Sequence, residues 1–176
     1  MTFRSNAAPL LLALLLAGCS SVDLGPSEPT AVANLRPTAG SQVQGTARFT
    51  ERAGGVRVAG EVRGLRPHTE HGFHVHEKGD CSAPDATSAG GHFNPAGAPH
   101  GRPGAGPHHA GDLPNLRADA NGVARFDFVA PALSISGIGN SVVGRGLVVH
   151  RDPDDYRSQP AGESGPRVAC AVITRS

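Results

Sequence analysis

Short runs of alternating apolar and polar residues recur along this chain, at residues 31–36, 42–50, 56–63, 71–76, 123–129 and 147–150. A period of two predicts strands with one buried and one exposed face. Residues 168–174 are apolar enough for a more deeply buried strand. Glycine-rich breaks separate the runs, among them Ala53-Gly54-Gly55 and Asn121-Gly122. The second predicts a hairpin turn, because asparagine and glycine both tolerate positive φ. No long helix is indicated, and the pattern predicts an antiparallel sandwich or flattened barrel.

Residues 77–115 break this rhythm, being rich in glycine and proline and carrying no strand or helix pattern. A structureless loop of that length is uncommon in a compact domain, so something other than secondary structure must order it. The loop contains Cys81, His92, His100, His108, His109 and Asp112. Metal coordination and a disulfide are the expected sources of order.

The N-terminus stands apart from the fold. Arg4 precedes an apolar run at residues 9–16 that is too short for a membrane anchor and reads as an export signal. The following Leu16-Ala17-Gly18-Cys19 resembles the lipobox of bacterial lipoproteins, in which cleavage precedes the cysteine and the thiol is acylated. The expected division is a lipoprotein signal peptide at 1–18, a flexible lipid-anchored tether at 19–29 and a folded domain at 30–176. An ordinary signal peptide with an incidental cysteine is the alternative. Export implies an oxidising compartment, and acylation of Cys19 leaves Cys81 and Cys170 to form a disulfide. Thiolate metal ligation is the weaker reading, since neither cysteine sits in a CxxC pair.

Composition narrows the partners. The 176 residues include 16 basic and 15 acidic side chains, 24 glycines and 15 prolines. Cleavage before Cys19 removes Arg4 and leaves the mature chain formally neutral. No basic stripe for nucleic acid is visible. The unusual feature is nine histidines against one methionine, one tyrosine and no tryptophan.

In Gly72-Phe73-His74-Val75-His76 the alternation of a strand sends Phe73 and Val75 to the core and both imidazoles to the other face, outward together, where they can chelate one ion. His150, at the end of the apolar run Leu147-Val148-Val149, can complete that group. His92, His100, His109 and Asp112 supply three nitrogens and a carboxylate, a set suited to tetrahedral zinc. An all-imidazole set of His74, His76, His92 and His150 favours copper. His92, between the strand and loop ligands, is the candidate shared residue, bridging through both ring nitrogens. His71 falls on the face opposite His74 and reads as structural, His108 as exposed, and His68 has no assigned task.

Taken together, His71-Gly72-Phe73-His74-Val75-His76, Gly90-Gly91-His92-Phe93-Asn94-Pro95, Gly111-Asp112-Leu113, Gly144-Arg145-Gly146-Leu147-Val148-Val149-His150 and Gly165-Pro166-Arg167-Val168-Ala169-Cys170 resemble the copper-zinc superoxide dismutase family. The resemblance spans residues 30–176. It implies an eight-stranded antiparallel Greek-key β-barrel with long metal-binding and electrostatic loops. It also implies one copper and one zinc per subunit on the two sets above, and disproportionation of superoxide by a copper that alternates oxidation states. His92 is implied to bridge the metals and relay a proton to the developing peroxide. Arg167 matches the arginine that attracts and orients the superoxide anion, and Asp154 matches a carboxylate that hydrogen-bonds one copper and one zinc histidine. Asp152 and Asp155 read as solvated turn acids.

Residues 156–163 offer no clear counterpart of the guiding lysine of eukaryotic members. The expected setting is the periplasm or cell envelope, with a lipid-anchored protein that is a monomer or a homodimer. Two other classes stay beside the enzyme. A metal carrier on the same fold predicts a missing copper ligand or arginine, and neither is missing. A zinc hydrolase needs an open coordination position, which three histidines plus aspartate do not leave.

Overall fold

The structure is a computed structural model that describes residues 1–2 and 28–176. The export run, Cys19 and nearly all of the tether lie outside the described residues. Among those described, no helix is long and apolar enough to cross a membrane.

The elements in chain order are β1 (Thr30–Pro37), β2 (Gln44–Arg52), β3 (Gly55–Arg63), β4 (Glu70–His71), β5 (Phe73–His76), a 3-10 turn at Thr87–Ala89, β6 (Leu116–Arg117), β7 (Ala124–Ala130), β8 (Gly146–His150), β9 (Arg167–Val172) and β10 (Thr174–Arg175). Eight strands form one antiparallel sheet in the order β5-β8-β9-β1-β2-β3-β7, with β10 on β1; β4 and β6 pair separately. β1 lies where the sheet curls, for its first residues pair with β10 and its last two with β9. The inward positions of the period-two runs, among them Leu35, Phe49, Val58, Phe73 and Leu147, meet in one core with Leu113 and Ile173. Each buried aliphatic or aromatic side chain contributes about 1.5–3 kcal/mol through loss of apolar surface from water.

β2 and β3 form a hairpin at the glycine-rich break Ala53-Gly54, and φ of +92° at Gly54 is open to glycine at little cost. The strand expected at 71–76 divides at Gly72, whose N–H turns away to the Asp152 carbonyl at 2.8 Å. The strand expected at 168–174 divides at Ile173, which bonds Arg145 and Gly144 before the chain moves from β8 to the start of β1. The Asn121-Gly122 turn exists, held by Asp119, but it joins strands that leave for different partners, β6 to β4 and β7 to β3.

The loop 77–115 has more backbone order than its composition suggests. Val75 on β5 accepts from Phe93 N–H and donates to the Gly111 carbonyl, and Gly111 N–H closes the triangle on the Phe93 carbonyl, all at 2.8–2.9 Å. The chain thereby passes beside β5 twice, forming isolated bridges between His76 and His92 and between His74 and Asp112.

Candidate metal centre

β5 delivers His74 and His76, and β8, its antiparallel neighbour, delivers His150. The loop crossings at Phe93 and Gly111 place His92 and Asp112 against the same strand. Every imidazole of both predicted sets is buried, as is Asp112. The β5 pair does not project outward to solvent, as its strand pattern predicts, because the two long loops cover that face. His108 is half-buried rather than exposed, with Nδ1 donating to the His109 carbonyl at 2.7 Å. His71 is buried between Thr69 and the His150 carbonyl, in keeping with a structural place.

Two clusters of donor atoms result, His74, His76, His92 and His150 in one and His92, His100, His109 and Asp112 in the other, and within each the atoms lie within 4.8 Å of one another. Outer hydrogen bonds fix which nitrogen of each ring faces inward. His74 Nε2 donates to Asp154 Oδ2 at 2.9 Å, His76 Nδ1 to the Gly90 carbonyl at 2.9 Å, and His150 Nδ1 to the Gly165 carbonyl at 3.1 Å. The opposite nitrogens keep their lone pairs, with His76 Nε2 and His150 Nε2 3.4 Å apart. In the second cluster, Asp112 Oδ2 accepts the N–H groups of His109 and Gly101 at 2.9 and 3.1 Å. Its Oδ1 faces the Nδ1 atoms of His92, His100 and His109 at 2.8, 3.0 and 3.3 Å.

The residues fit the two metals. A tetrahedral ion with bonds of roughly 2.0–2.1 Å spaces its ligands about 3.3 Å apart, close to the separations in the second cluster. His74 Nδ1 and His92 Nε2 are buried without any protein partner. Buried polar atoms are ordinarily paired, and these two point into the all-histidine cluster. His92 lies in both, with Nδ1 toward Asp112 and Nε2 in the all-histidine set.

Electrostatics separates the halves. Burial holds His76 and His150 well below the usual histidine range, aided by neighbouring imidazoles, and lowers His74 to about 4 against the pull of Asp154. At His100 burial acts downward too, but hydrogen bonds to Asp112 and Asp154 outweigh it and raise the ring to about 9. Burial alone would raise Asp112 and Asp154. Hydrogen bonds from His100, with His92 for Asp112 and His74 for Asp154, instead hold both well below the usual carboxylate range.

Asp154 joins the clusters, one oxygen on His74 and the other on His100 Nε2, each at 2.9 Å. A Cβ on Gly162 would strike this carboxylate, so glycine is required there. Arg167 reaches the all-histidine side through a bulge: beyond Val149–Ala169 the register slips, and His150 pairs with Arg167 instead of Val168. Its guanidinium donates to the carbonyls of Ala86 and Gly90 at 2.5 and 2.6 Å, and Gly90 also accepts from His76. The segment carrying those carbonyls is clipped to β9 by the predicted Cys81–Cys170 disulfide, and Ala86 and Ala89 pack with Val148 beneath it. Arg167, His76, His92, His150, Pro160 and Ala161 line a depression of about 490 Å³.

Two residues that spacing did not single out brace the site, Asn115 on the backbone of Asp154 and Gln159 on the backbone of His100. Neither lies in a periodic segment or is of a residue type that binds these metals, so no local signal marks it.

The sequence model of the family described as copper/zinc superoxide dismutase (SODC) matches residues 43–173. A superoxide dismutase [Cu-Zn] of Deinococcus radiodurans is 41% identical over 185 aligned positions, covering 97% of each chain. Superoxide dismutase [Cu-Zn] 2 of Aquifex aeolicus is 42% identical over 164, covering 91% of this chain and 92% of that one. Among solved structures, a double mutant of a SOD-like protein from Bacillus subtilis superposes with a TM-score of 0.75 at 37% identity, covering 81% of this chain and 96% of that one.

Proposed function

This chain belongs to the copper/zinc superoxide dismutase family, and from that premise we propose that it converts two superoxide anions and two protons to dioxygen and hydrogen peroxide. Copper would be held by His74, His76, His92 and His150, and zinc by His92, His100, His109 and Asp112. The observation that carries this reading is the pair of buried four-donor clusters sharing His92 beneath a mouth that contains Arg167. When bound, copper supplies a one-electron couple and zinc a redox-silent Lewis acid.

The chain's own residues do the rest. Arg167, pinned by two carbonyls, presents a fixed positive charge that draws in the anion and orients it. Desolvation keeps His74, His76 and His150 neutral near pH 7, with lone pairs facing inward. His92 Nε2, buried without a protein partner, would carry a proton to the substrate only while it is not holding copper. Asp154 fixes the tautomers of His74 and His100 and so their aim.

The test is metal analysis and electron paramagnetic resonance on protein loaded with both metals, beside a dismutation assay. One copper and one zinc per chain with rapid superoxide loss is expected. Full metal content without dismutation would turn the reading toward an exported metal carrier.

The protein's setting belongs to the same reading. Residues 1–18 would be removed as a lipoprotein signal, Cys19 acylated, and domain 30–176 carried on a short tether in the periplasm or cell envelope. Superoxide is charged and crosses membranes poorly, so an enzyme there would protect the envelope. The disulfide supports an oxidising compartment. Mass spectrometry of the mature N-terminus is expected to find a diacylated Cys19; an unmodified chain starting elsewhere would refute the anchor.

A further inference from the structure

One side chain ties the metal-bearing loop to the loop over the mouth. Gln159 Oε1 accepts the His100 N–H at 3.0 Å, and its Nε2 donates to the His100 carbonyl at 2.9 Å and to the Arg157 carbonyl at 3.3 Å. A side-chain amide thus occupies both polar groups of one backbone residue, as a neighbouring strand would, across 59 positions. Asn115 clasps Asp154 in the same way, its Nδ2 on the carbonyl at 2.9 Å and its Oδ1 on the N–H at 3.0 Å. Asp154 in turn holds His100 Nε2. His100 is therefore gripped at its N–H, its carbonyl and one ring nitrogen, which leaves Nδ1 aimed at Asp112. Gln159 runs directly into Pro160 and Ala161, which line the depression beside Arg167.

We propose that Gln159 is a positioning residue that couples the zinc set to the mouth of the copper set. An imidazole whose backbone is already fixed surrenders less freedom when it binds a metal, so the clasp strengthens zinc retention. Coupling between sites is reciprocal, so zinc on His100 steadies Gln159 and, through it, the wall at Pro160 and Ala161. Asp154 sets the direction of the ring, and Gln159 carries the restraint to the mouth. The inference rests on the reading of His100 as a zinc ligand.

Gln159 is exposed, so its replacement leaves the core intact. Gln159→Leu removes all three bonds, and Gln159→Glu keeps the acceptor for the His100 N–H but sets a carboxylate against the His100 and Arg157 carbonyls. In the full chain carrying both metals, both variants are expected to release zinc to a chelator about tenfold faster, from the loss of at least two hydrogen bonds. Cobalt(II) placed in the zinc set is expected to show an altered visible spectrum, a readout that a remote structural role leaves alone. Hydrogen exchange at residues 158–162 is expected to slow on zinc loading in the unaltered protein and to lose that response in Gln159→Leu. Unchanged zinc release, cobalt spectrum and zinc-dependent protection in the variants would overturn the coupling. An unaltered protein that takes up neither zinc nor cobalt at His100 would overturn the ligand reading beneath it. If Gln159→Leu does not fold, Gln159→Glu decides on the same three measurements.

Discussion

The two donor clusters are built on different principles although they share a residue. Three of the four donors around His74 stand on paired strands, β5 and β8, whose ladder places them whatever fills the site. All four donors around Asp112 stand on the loop 77–115, which touches β5 at two crossings and otherwise depends on polar clamps. Charge follows the same division. The strand histidines are neutral by burial, whereas His100 lies between two carboxylates that favour its protonated form. A donor set on a ladder is organised before metal arrives, while one on a loop is completed by it.

The largest expected effect comes from cutting the clip on the strand side. Closing a loop of 89 residues contributes about 4–5 kcal/mol in the chain-entropy picture, so reducing Cys81–Cys170 should lower the unfolding free energy by up to that amount. It should also free the Ala86 and Gly90 carbonyls from Arg167 and slow turnover. Denaturant titration of oxidised and reduced protein measures the first, and equal midpoints would mean that the clip adds nothing to the barrel.

On the loop side, Asp112→Ala should weaken zinc binding on the order of 100-fold, because it removes a ligand and frees the His109 and Gly101 amides it accepts from. Copper retention by the strand set should change far less. Zinc competition beside copper resonance spectra makes the comparison, and equal losses of both metals would erase the distinction between ladder and loop.

A pH titration sharpens the contrast. Zinc must displace the proton from His100, so zinc affinity should rise about tenfold per pH unit between pH 7 and about 9 and then level off. The strand histidines His74, His76 and His150, already neutral, should contribute no proton to copper uptake near pH 7. In metal-free protein the halves then oppose each other. His100, raised from its ordinary value near 6.5, stabilises the fold fully below that pH and loses its contribution as pH climbs through about 9. His74, His76 and His150, depressed, contribute above pH 6.5 and lose their contribution as the unfolded chain takes up protons in acid. Thermal stability of the metal-free protein should peak near neutrality; a monotonic rise or fall from pH 5 to 9 would contradict this assignment of charge.

The smallest effect is Arg167→Ala, which should slow the reaction several-fold and flatten its dependence on ionic strength, with both metals retained. Pulse radiolysis at two salt concentrations decides it. An unchanged salt dependence would move the steering charge elsewhere on the surface.

Much of this was legible because it is written in local pattern. Alternation at residues 31–36 and 56–63 marks β1 and β3, since side chains on a strand change face at every step. His-x-His at 74 and 76 needs only that alternation to place both rings together. The histidine-rich loop, the two cysteines and the aspartate three residues after His109 announce their chemistry by residue type. The short strand β6 was invisible, because two residues carry no period and its pairing with β4 is decided 45–47 positions away.

By itself, then, the sequence determined the all-β class and singled out the two histidine-rich sets that meet in the clusters, with His92 in both. These rest on residue type and on a period of two, both of which are local. Tertiary structure decided that the β5 imidazoles are buried instead of facing water, which nitrogen of each ring faces the cluster, that a bulge sets Arg167 beside His150, and that Asn115 and Gln159 brace Asp154 and His100. Each of these depends on the register between segments tens of residues apart, and register is fixed by the joint packing of the whole barrel rather than by any stretch of chain.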